Sequence, residues 1–413
     1  MSVSGPSTAS QAPARVFVLL TAMIDSIGIG IIFPVMPDLI AEVTGGPLSE
    51  AALWGGLLAT SFAVMQFLFG PVVGNLSDRF GRRPVMLSAL AVMTLDYVIM
   101  ALAGTVWLLL LGRVVAGMTA ATYSTATAYM ADISSRADRA RNFGLIGAAF
   151  GIGFIAGPFL GSLLSTFGTR APFWGAAAIA GANLLFGLIV LPESLSAAKR
   201  RALSWARANP LGAFRAIGRL PGLGRLLIVF LIYNIALHVY ESVWAFYGKA
   251  QFGWEPFTIG LSLACYGVFF TLVQAFGIGP LIRLTGDRLA ALIGLAIEAL
   301  ACMAFFIITS GAVAIAMTAF AALGSVAGPA MQGMMSNATP DDQQGELQGV
   351  LASLTAIGMI VSPAMMTGTF AAFTAPGASF HAPGAPFGLA ALLLVACVTV
   401  LVAGSRANPP RAS

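Results

Sequence analysis

A few ionisable side chains lie inside long apolar segments of this chain, where a charge is costly. They are Asp25, Asp96, Arg113, Glu241 and Glu298, with His238 one helical turn before Glu241. A charge at the centre of a bilayer costs roughly 2.5–3.5 kcal/mol, so such residues face a partner or a water-filled cavity. Removal from water favours the neutral form of a carboxyl group. A buried acid can therefore bind a proton on one side of a membrane and release it on the other.

Each acid also has a structural interpretation. Asp25 precedes Gly28, Gly30 and two prolines, a loosened helix of the kind that lines transporter cavities, but it could instead form a buried ion pair with Arg113. Arg113 cannot lose its charge, so we expect it to be paired or hydrated. Asp96 and Glu298 occupy near-equivalent places in the two halves of the chain, which suits either substrate or proton coupling or a structural pair.

Two further polar residues allow two interpretations. His238 and Glu241 could titrate as a pair, although a hydrogen-bonded interior histidine is the more common situation. Gln66 lies in an apolar segment, where its amide could orient a polar ligand or form a hydrogen bond between helices.

A short charged loop carries the most informative pattern in the chain. Its residues are Gly74, Asp78, Arg79, Gly81, Arg82 and Arg83. An offset of 205 residues leads from Gly74, Gly81 and Arg83 to Gly279, Gly286 and Arg288, whereas Arg82 meets Asp287. We predict a duplicated half whose second copy keeps mainly the glycine turns. In the first copy we expect Asp132 to pair with Arg82 and form a conformational switch, although the arginines would also control topology.

A second run shares the same offset. It contains Gly144, Gly153, Gly157, Pro158 and Gly161. Glycine at every fourth residue leaves one helix face bare, so another helix can approach closely, and Pro158 bends the helix. The run is interpreted either as plain packing or as part of a moving bundle.

Composition requires a membrane around these residues. Of 413 residues, 58% are hydrophobic and 9% charged, against about 25% charged in soluble proteins. About twelve apolar segments are long enough to cross a bilayer, which predicts an all-α membrane protein. Basic residues concentrate in alternate loops, which places both termini and the central loop in the cytoplasm. The net charge of +5 is thus a topology signal and not a nucleic-acid site.

The polar connections predict the domain boundaries. We expect a tail at 1–14, six-helix bundles at 15–191 and 223–404, a cytoplasmic loop at 192–222 and a tail at 405–413. The loop is either a solvated linker or an amphipathic helix on the inner leaflet. The three cysteines, Cys265, Cys302 and Cys397, lack metal-ligand spacing, so we expect neither a disulfide framework nor a metal site.

These motifs resemble the major facilitator superfamily, and in particular its twelve-span drug/proton antiporters. The charged loop matches the superfamily signature, and the glycine run matches the antiporter motif. Over nearly the whole chain the sequence is similar to bacterial tetracycline efflux transporters, for example at Leu95-Asp96-Tyr97 and Phe252-Gly253-Trp254.

The resemblance implies a bacterial inner-membrane protein, a monomer without a cofactor, that exchanges a cytoplasmic tetracycline chelate for external protons. A divalent cation such as magnesium would enter only with the drug. Asp25, Asp96 and Glu298 would take part, and Gln66 stands at a family glutamine. Glu298 in place of an aspartate, Phe270 in place of a histidine and the added Glu241 favour an alternative, export of other cationic or amphiphilic drugs. A metabolite facilitator of the same fold is a further alternative.

Overall fold

A computed structural model describes residues 8–120, 122–135, 138–203, 220 and 222–406, and within these ranges the chain is helical without β-strands. The helices of the first half are α1 Thr8–Thr44, α2 Leu48–Phe80, α3 Arg82–Leu102, α4 Val106–Thr119, α5 Thr122–Ile133, α6 Arg139–Ser165 and α7 Ala171–Val190. Those of the second half are α8 Gly224–Leu237, α9 Val239–Phe252, α10 Pro256–Leu272, α11 Ile278–Ile307, α12 Gly311–Gly324, α13 Ala327–Asn337, α14 Gln344–Thr374 and α15 Ala385–Arg406.

Eleven helical stretches among the described residues are long and apolar enough to cross a membrane. One of them, Pro256–Ile307, has 52 residues, which at 1.5 Å per residue is about 78 Å and more than twice the thickness of a bilayer core. Its helix is interrupted at Gly286, whose backbone (φ 76°, ψ 161°) is not helical. The stretch therefore supplies two crossings, in agreement with the predicted twelve. The chain is a multi-pass membrane protein.

Several of the apolar segments are divided. Helices end within three of them: between α4 and α5, at His238 between α8 and α9, and between α12 and α13. A five-residue π-helix, Val273–Gly277, also joins α10 to α11. Such irregular backbone inside a membrane requires protein or water around it to satisfy the freed hydrogen-bonding groups.

The described helices belong to two compact units, one within residues 1–39 and 61–210 and the other within 40–60 and 211–413. Residues 40–60 group with the second unit, unlike the predicted bundle boundary. Glycines explain this contact: a Cβ on Gly55 would lie 2.9 Å from the Phe246 ring, and one on Gly56 would lie 3.0 Å from the Pro363 carbonyl. The bare surface of α2 thus packs closely on α9 and α14.

Each unit has its own apolar core. In the first, Phe17, Met86 and Tyr129 are fully buried together. In the second, an aromatic core contains Trp244 and Phe305, whose ring centroids lie 5.1 Å apart at 84°. Most of the predicted cytoplasmic loop, interpreted as a linker or an amphipathic helix, lies outside the described residues. Of the predicted tails, 1–7 and 407–413 lie outside them too, whereas 8–14 already belong to α1.

Candidate functional site: a loop switch and buried acids

The charged loop is a single glycine between two helices. Gly81 alone separates α2 from α3, with φ 110° and ψ 163°, a conformation that residues with a Cβ rarely adopt. Its counterpart Gly286 has φ 76° and ψ 161°. The two halves thus repeat the same backbone break at the offset read from the sequence.

Glu193, just beyond α7, closes this break. Its carboxylate accepts hydrogen bonds from the backbone N–H of Arg82 at 2.8 Å and of Arg83 at 3.3 Å. A negative charge at this position stabilises the start of α3, because the first N–H groups of a helix are otherwise unpaired. A Cβ on Gly81 would lie 2.6 Å from the Glu193 carboxyl carbon, so a larger residue would displace this carboxylate in addition to adopting a strained backbone.

The Arg82 guanidinium joins three elements. It lies 2.8 Å from Asp78 at the end of α2 and 3.2 Å from Asp132 in α5, and it donates to the Ser77 hydroxyl at 3.1 Å. The predicted pairing of Arg82 with Asp132 is present. Arg83 instead donates to the Leu188 carbonyl at 2.9 Å.

The remaining loop residues make few contacts. Arg79 is exposed and places its guanidinium 5.2 Å from the centroid of the Phe80 ring. A Cβ on Gly74 would meet nothing within 4 Å, so space does not explain this glycine.

The membrane arginine pairs with Asp96 and not with Asp25. The Arg113 guanidinium in α4 forms an ion pair with the Asp96 carboxylate in α3, whose side chain is 3% exposed. Gly112 permits this approach, because a Cβ there would lie 2.7 Å from Asp96 Oδ1. The guanidinium also lies 5.4 Å from the centroid of the Phe62 ring. The structural alternative for Asp25, a pair with Arg113, is therefore wrong.

Asp25 is half-buried in α1 and has no hydrogen bond or ion pair with any described residue. The nearby polar group is Tyr97, which is close enough to Asp25 for an electrostatic interaction. The Tyr97 hydroxyl packs against Gly28, where a Cβ would overlap the phenol ring. Asp25 is thus an acid without a counter-charge in the described part of an apolar bundle.

Glu298 lies in the second unit and is fully buried in α11. Its Oε2 accepts a hydrogen bond from the Tyr240 hydroxyl of α9 at 3.2 Å. A Cβ on Gly324 would lie 2.8 Å from the Glu298 carboxyl carbon, which parallels the contact of Gly112 with Asp96 in the first unit.

His238 separates α8 from α9, and Glu241 lies in the first turn of α9. The His238 Nε2 and Glu241 Oε2 atoms are 4.0 Å apart, with side-chain exposures of 16% and 45%. His238 Nδ1 lies 2.6 Å from the Asn234 carbonyl of its own helix. The histidine is thus hydrogen-bonded in the interior, and Glu241 is an exposed acid within a membrane span.

Gln66 acts between helices in this structure. Its amide donates at 3.0 Å to the carbonyl of Ala120, the residue at which α4 ends. The glutamine of α2 therefore satisfies a carbonyl that the interrupted helix leaves free.

The glycine run of α6 packs against the helix that carries Asp25. A Cβ on Gly157 would lie 2.6 Å from the Ile27 carbonyl, and one on Gly161 would lie 2.5 Å from the Ile31 carbonyl. Gly153 contacts the Met23 carbonyl in the same way, and Gly30 meets Pro158 across the contact. Gly144, by contrast, faces open space, as do Gly147 and Gly151.

Two contributors were missed from the sequence. Glu193 follows a span in a Pro-Glu-Ser turn, and a proline followed by an acid is a weak helix-end signal. Tyr240 lies beside Glu241 and has no sequence signal of its own. Only the packing of α9 on α11 reveals its contact with Glu298.

This arrangement of two helical units, with a repeated glycine break and buried acids, is that of a membrane transporter, and the Major Facilitator Superfamily matches residues 18–249 and 239–413. The chain belongs to this superfamily.

Two relatives are named for drug resistance. The chain is 41% identical to the tetracycline resistance protein, class C, of Escherichia coli, over 87% of this chain and 90% of that protein. It is 38% identical to the class G protein of Vibrio anguillarum, over 87% and 91% of the two chains. The crystal structure of the nucleoside transporter NupG shares the fold, with a TM-score of 0.76 and 12% identity over 94% of this chain and 98% of that chain. The chain is an efflux transporter and not an enzyme.

Proposed function

We propose that the chain exports tetracycline, as a complex with a divalent cation such as magnesium, from the bacterial cytoplasm in exchange for external protons. The observation that carries the proposal is the 41% identity to a tetracycline resistance protein along 87% of the chain. The exporter acts as a monomer in the inner membrane, with both termini in the cytoplasm.

The contacts of the acids support a division of roles. Asp25 carries the exchanged proton, because it has no described counter-charge and can alternate between its charged and neutral forms. Asp96 stays ionised beside Arg113, since a buried charge is tolerated when it is paired. Glu298 is the second acid that exchanges protons.

Inverted membrane vesicles test this function. Their lumen corresponds to the outside of the cell, so an acidified lumen drives tetracycline inwards. Addition of tetracycline and magnesium should release protons from the lumen of wild-type vesicles, and Asp25→Asn should abolish both the release and the drug uptake. Asp138→Asn, which alters an exposed acid at the start of α6, is the matched control and should behave as wild type. Equal proton release by wild type and Asp25→Asn would refute the mechanism.

A second candidate substrate class is favoured by Glu241, whose side chain is 45% exposed within a membrane span. An accessible carboxylate there attracts cationic drugs. Susceptibility of an efflux-deficient host to tetracycline and to a panel of cationic drugs separates the two candidates. If the chain confers resistance to cationic drugs but not to tetracycline, and Glu241→Gln removes that resistance, cationic drugs are the substrates and tetracycline is not.

A further inference from the structure

Glu298 has one polar partner in the described part of the chain. Its side chain is fully buried, its Oε2 accepts from the Tyr240 hydroxyl at 3.2 Å, and its Oε1 has no hydrogen bond there. Asp96, the corresponding acid of the first unit, has an arginine instead. The two halves therefore hold their buried acids by different chemistry, an ion pair in one and a phenol in the other.

The groups that face Glu298 are phenols and a thiol. Tyr233 of α8, Tyr266 of α10 and Cys302, one turn further along α11, are close enough for electrostatic interaction. Within the described ranges no lysine, arginine or histidine forms an ion pair with it. Among the described residues, the Tyr240 hydroxyl is thus the donor that hydrogen-bonds this carboxyl group. The Cys302 thiol nearby is a weak donor.

Aromatic packing fixes the position of the Tyr240 hydroxyl. Its ring stacks on Tyr266 with centroids 5.9 Å apart at 24°, meets Phe305 edge-on at 6.0 Å, and contacts Phe387 at 5.7 Å. The helix that carries Tyr240, α9, begins at Val239, one residue before it. A phenol held on several sides loses little freedom when its hydroxyl binds the carboxylate.

We propose that Tyr240 is a positioning residue for proton exchange at Glu298, because its hydroxyl stabilises the ionised carboxylate and so sets how readily this acid releases its proton. A hydrogen bond to the charged form of an acid favours that form, and charge-assisted bonds are among the stronger ones in proteins. The inference rests on the proposed function only for the use of that proton in export.

The test is an infrared titration of the purified protein. The carboxyl C=O band of Glu298 is assigned by its loss in Glu298→Gln, and its intensity is followed against pH. Tyr240→Phe should raise the titration midpoint by about one unit, a tenfold gain in proton affinity, because the ionised form loses its donor.

Tyr247→Phe is the matched control. Tyr247 lies on the same helix in the same aromatic core, and its hydroxyl donates to the Phe305 carbonyl at 2.6 Å and not to an acid. It should leave the midpoint unchanged. An unchanged midpoint in Tyr240→Phe, or an equal shift in both variants, would overturn the inference. Should Tyr240→Phe not fold, Tyr266→Leu removes the stacked ring but leaves the hydroxyl, and it should shift the midpoint in the same direction; no shift would count against the inference.

Because the titration requires no drug, its result does not depend on whether the proposed function is correct. A raised midpoint in a protein that exports no tetracycline would refute the proposed function and leave the role of Tyr240 standing. Tetracycline export with an unshifted midpoint would refute the role of Tyr240 alone. If both hold, Tyr240→Phe should also move the pH profile of export towards alkaline pH, since Glu298 then stays protonated at higher pH.

Discussion

Asn337 donates a hydrogen bond to Asp287 at 2.9 Å, at the two positions that correspond by the 205-residue offset to Asp132 and Arg82. In the first half the acid is Asp132 and the donor is Arg82, 3.2 Å apart. In the second half the acid, Asp287, occupies the position of Arg82, and the donor, the Asn337 amide, occupies the position of Asp132. The second copy thus keeps, beside the expected glycine turn at Gly286, a polar contact between these two positions.

This correspondence predicts that an arginine and an aspartate can replace Asp287 and Asn337, as in the pair of Arg82 and Asp132. Asn337→Asp should lower the melting temperature, since two carboxylates would then lie in contact. Adding Asp287→Arg should restore it, because the pair becomes an arginine and an aspartate. For such a partly exposed pair we expect a coupling of roughly 0.5–1 kcal/mol, measured by thermal unfolding of the four proteins in detergent. Strict additivity of the two changes would contradict the correspondence.

The contact of α6 with α1 predicts a difference between two glycines of one helix. Gly157→Ala should destabilise the protein by roughly 1–3 kcal/mol and impair export, because its methyl group would lie 2.6 Å from the Ile27 carbonyl and the backbone cannot yield. Gly151→Ala faces open space and should be neutral or slightly stabilising, since alanine favours helix. Melting temperature and drug uptake are the measurements. Equal effects at the two positions would show that the close approach does not matter.

Glu193 is predicted to stabilise the charged loop. Glu193→Ala removes an acceptor from two backbone N–H groups and should cost roughly 0.5–2 kcal/mol of stability, with a smaller loss for Glu193→Gln. The control is Glu255→Ala, because Glu255 is also at a helix start but makes no capping hydrogen bond. The comparison uses thermal unfolding in detergent. A loss at Glu255 as large as at Glu193 would mean that helix-end charge alone is responsible.

The different partners of Asp25 and Asp96 predict opposite phenotypes. Asp96→Asn leaves Arg113 buried without its counter-charge and should reduce the amount of folded protein, by roughly 3–5 kcal/mol of stability. Asp25→Asn should leave folding intact while it abolishes exchange. Folded yield is measured by gel filtration of the detergent extract. Recovery of both folding and export in Asp96→Asn with Arg113→Leu would identify the pair as structural, and recovery of folding alone would show that export also uses it. Continued failure to fold would contradict the pairing.

The apolar segments and the duplicated loop can be predicted from the sequence, because each is defined by spacing along the chain. The partner of Arg113 could not be chosen in this way, since Asp25 and Asp96 are both within an apolar segment and only the packing of α3 on α4 decides between them. Interruptions such as that at His238 were missed for a related reason. An apolar segment looks continuous whether or not its backbone is helical throughout.

The single-residue connections at Gly81 and Gly286 leave no spare length between neighbouring spans. A longer loop can absorb a displacement of one helix by changing its own shape. Here any tilt of α2 has to be carried directly into α3, or taken up by the φ and ψ of one glycine. The same holds between the two parts of α11 at Gly286. In each half the angle between two neighbouring spans is thus set by the backbone of one residue.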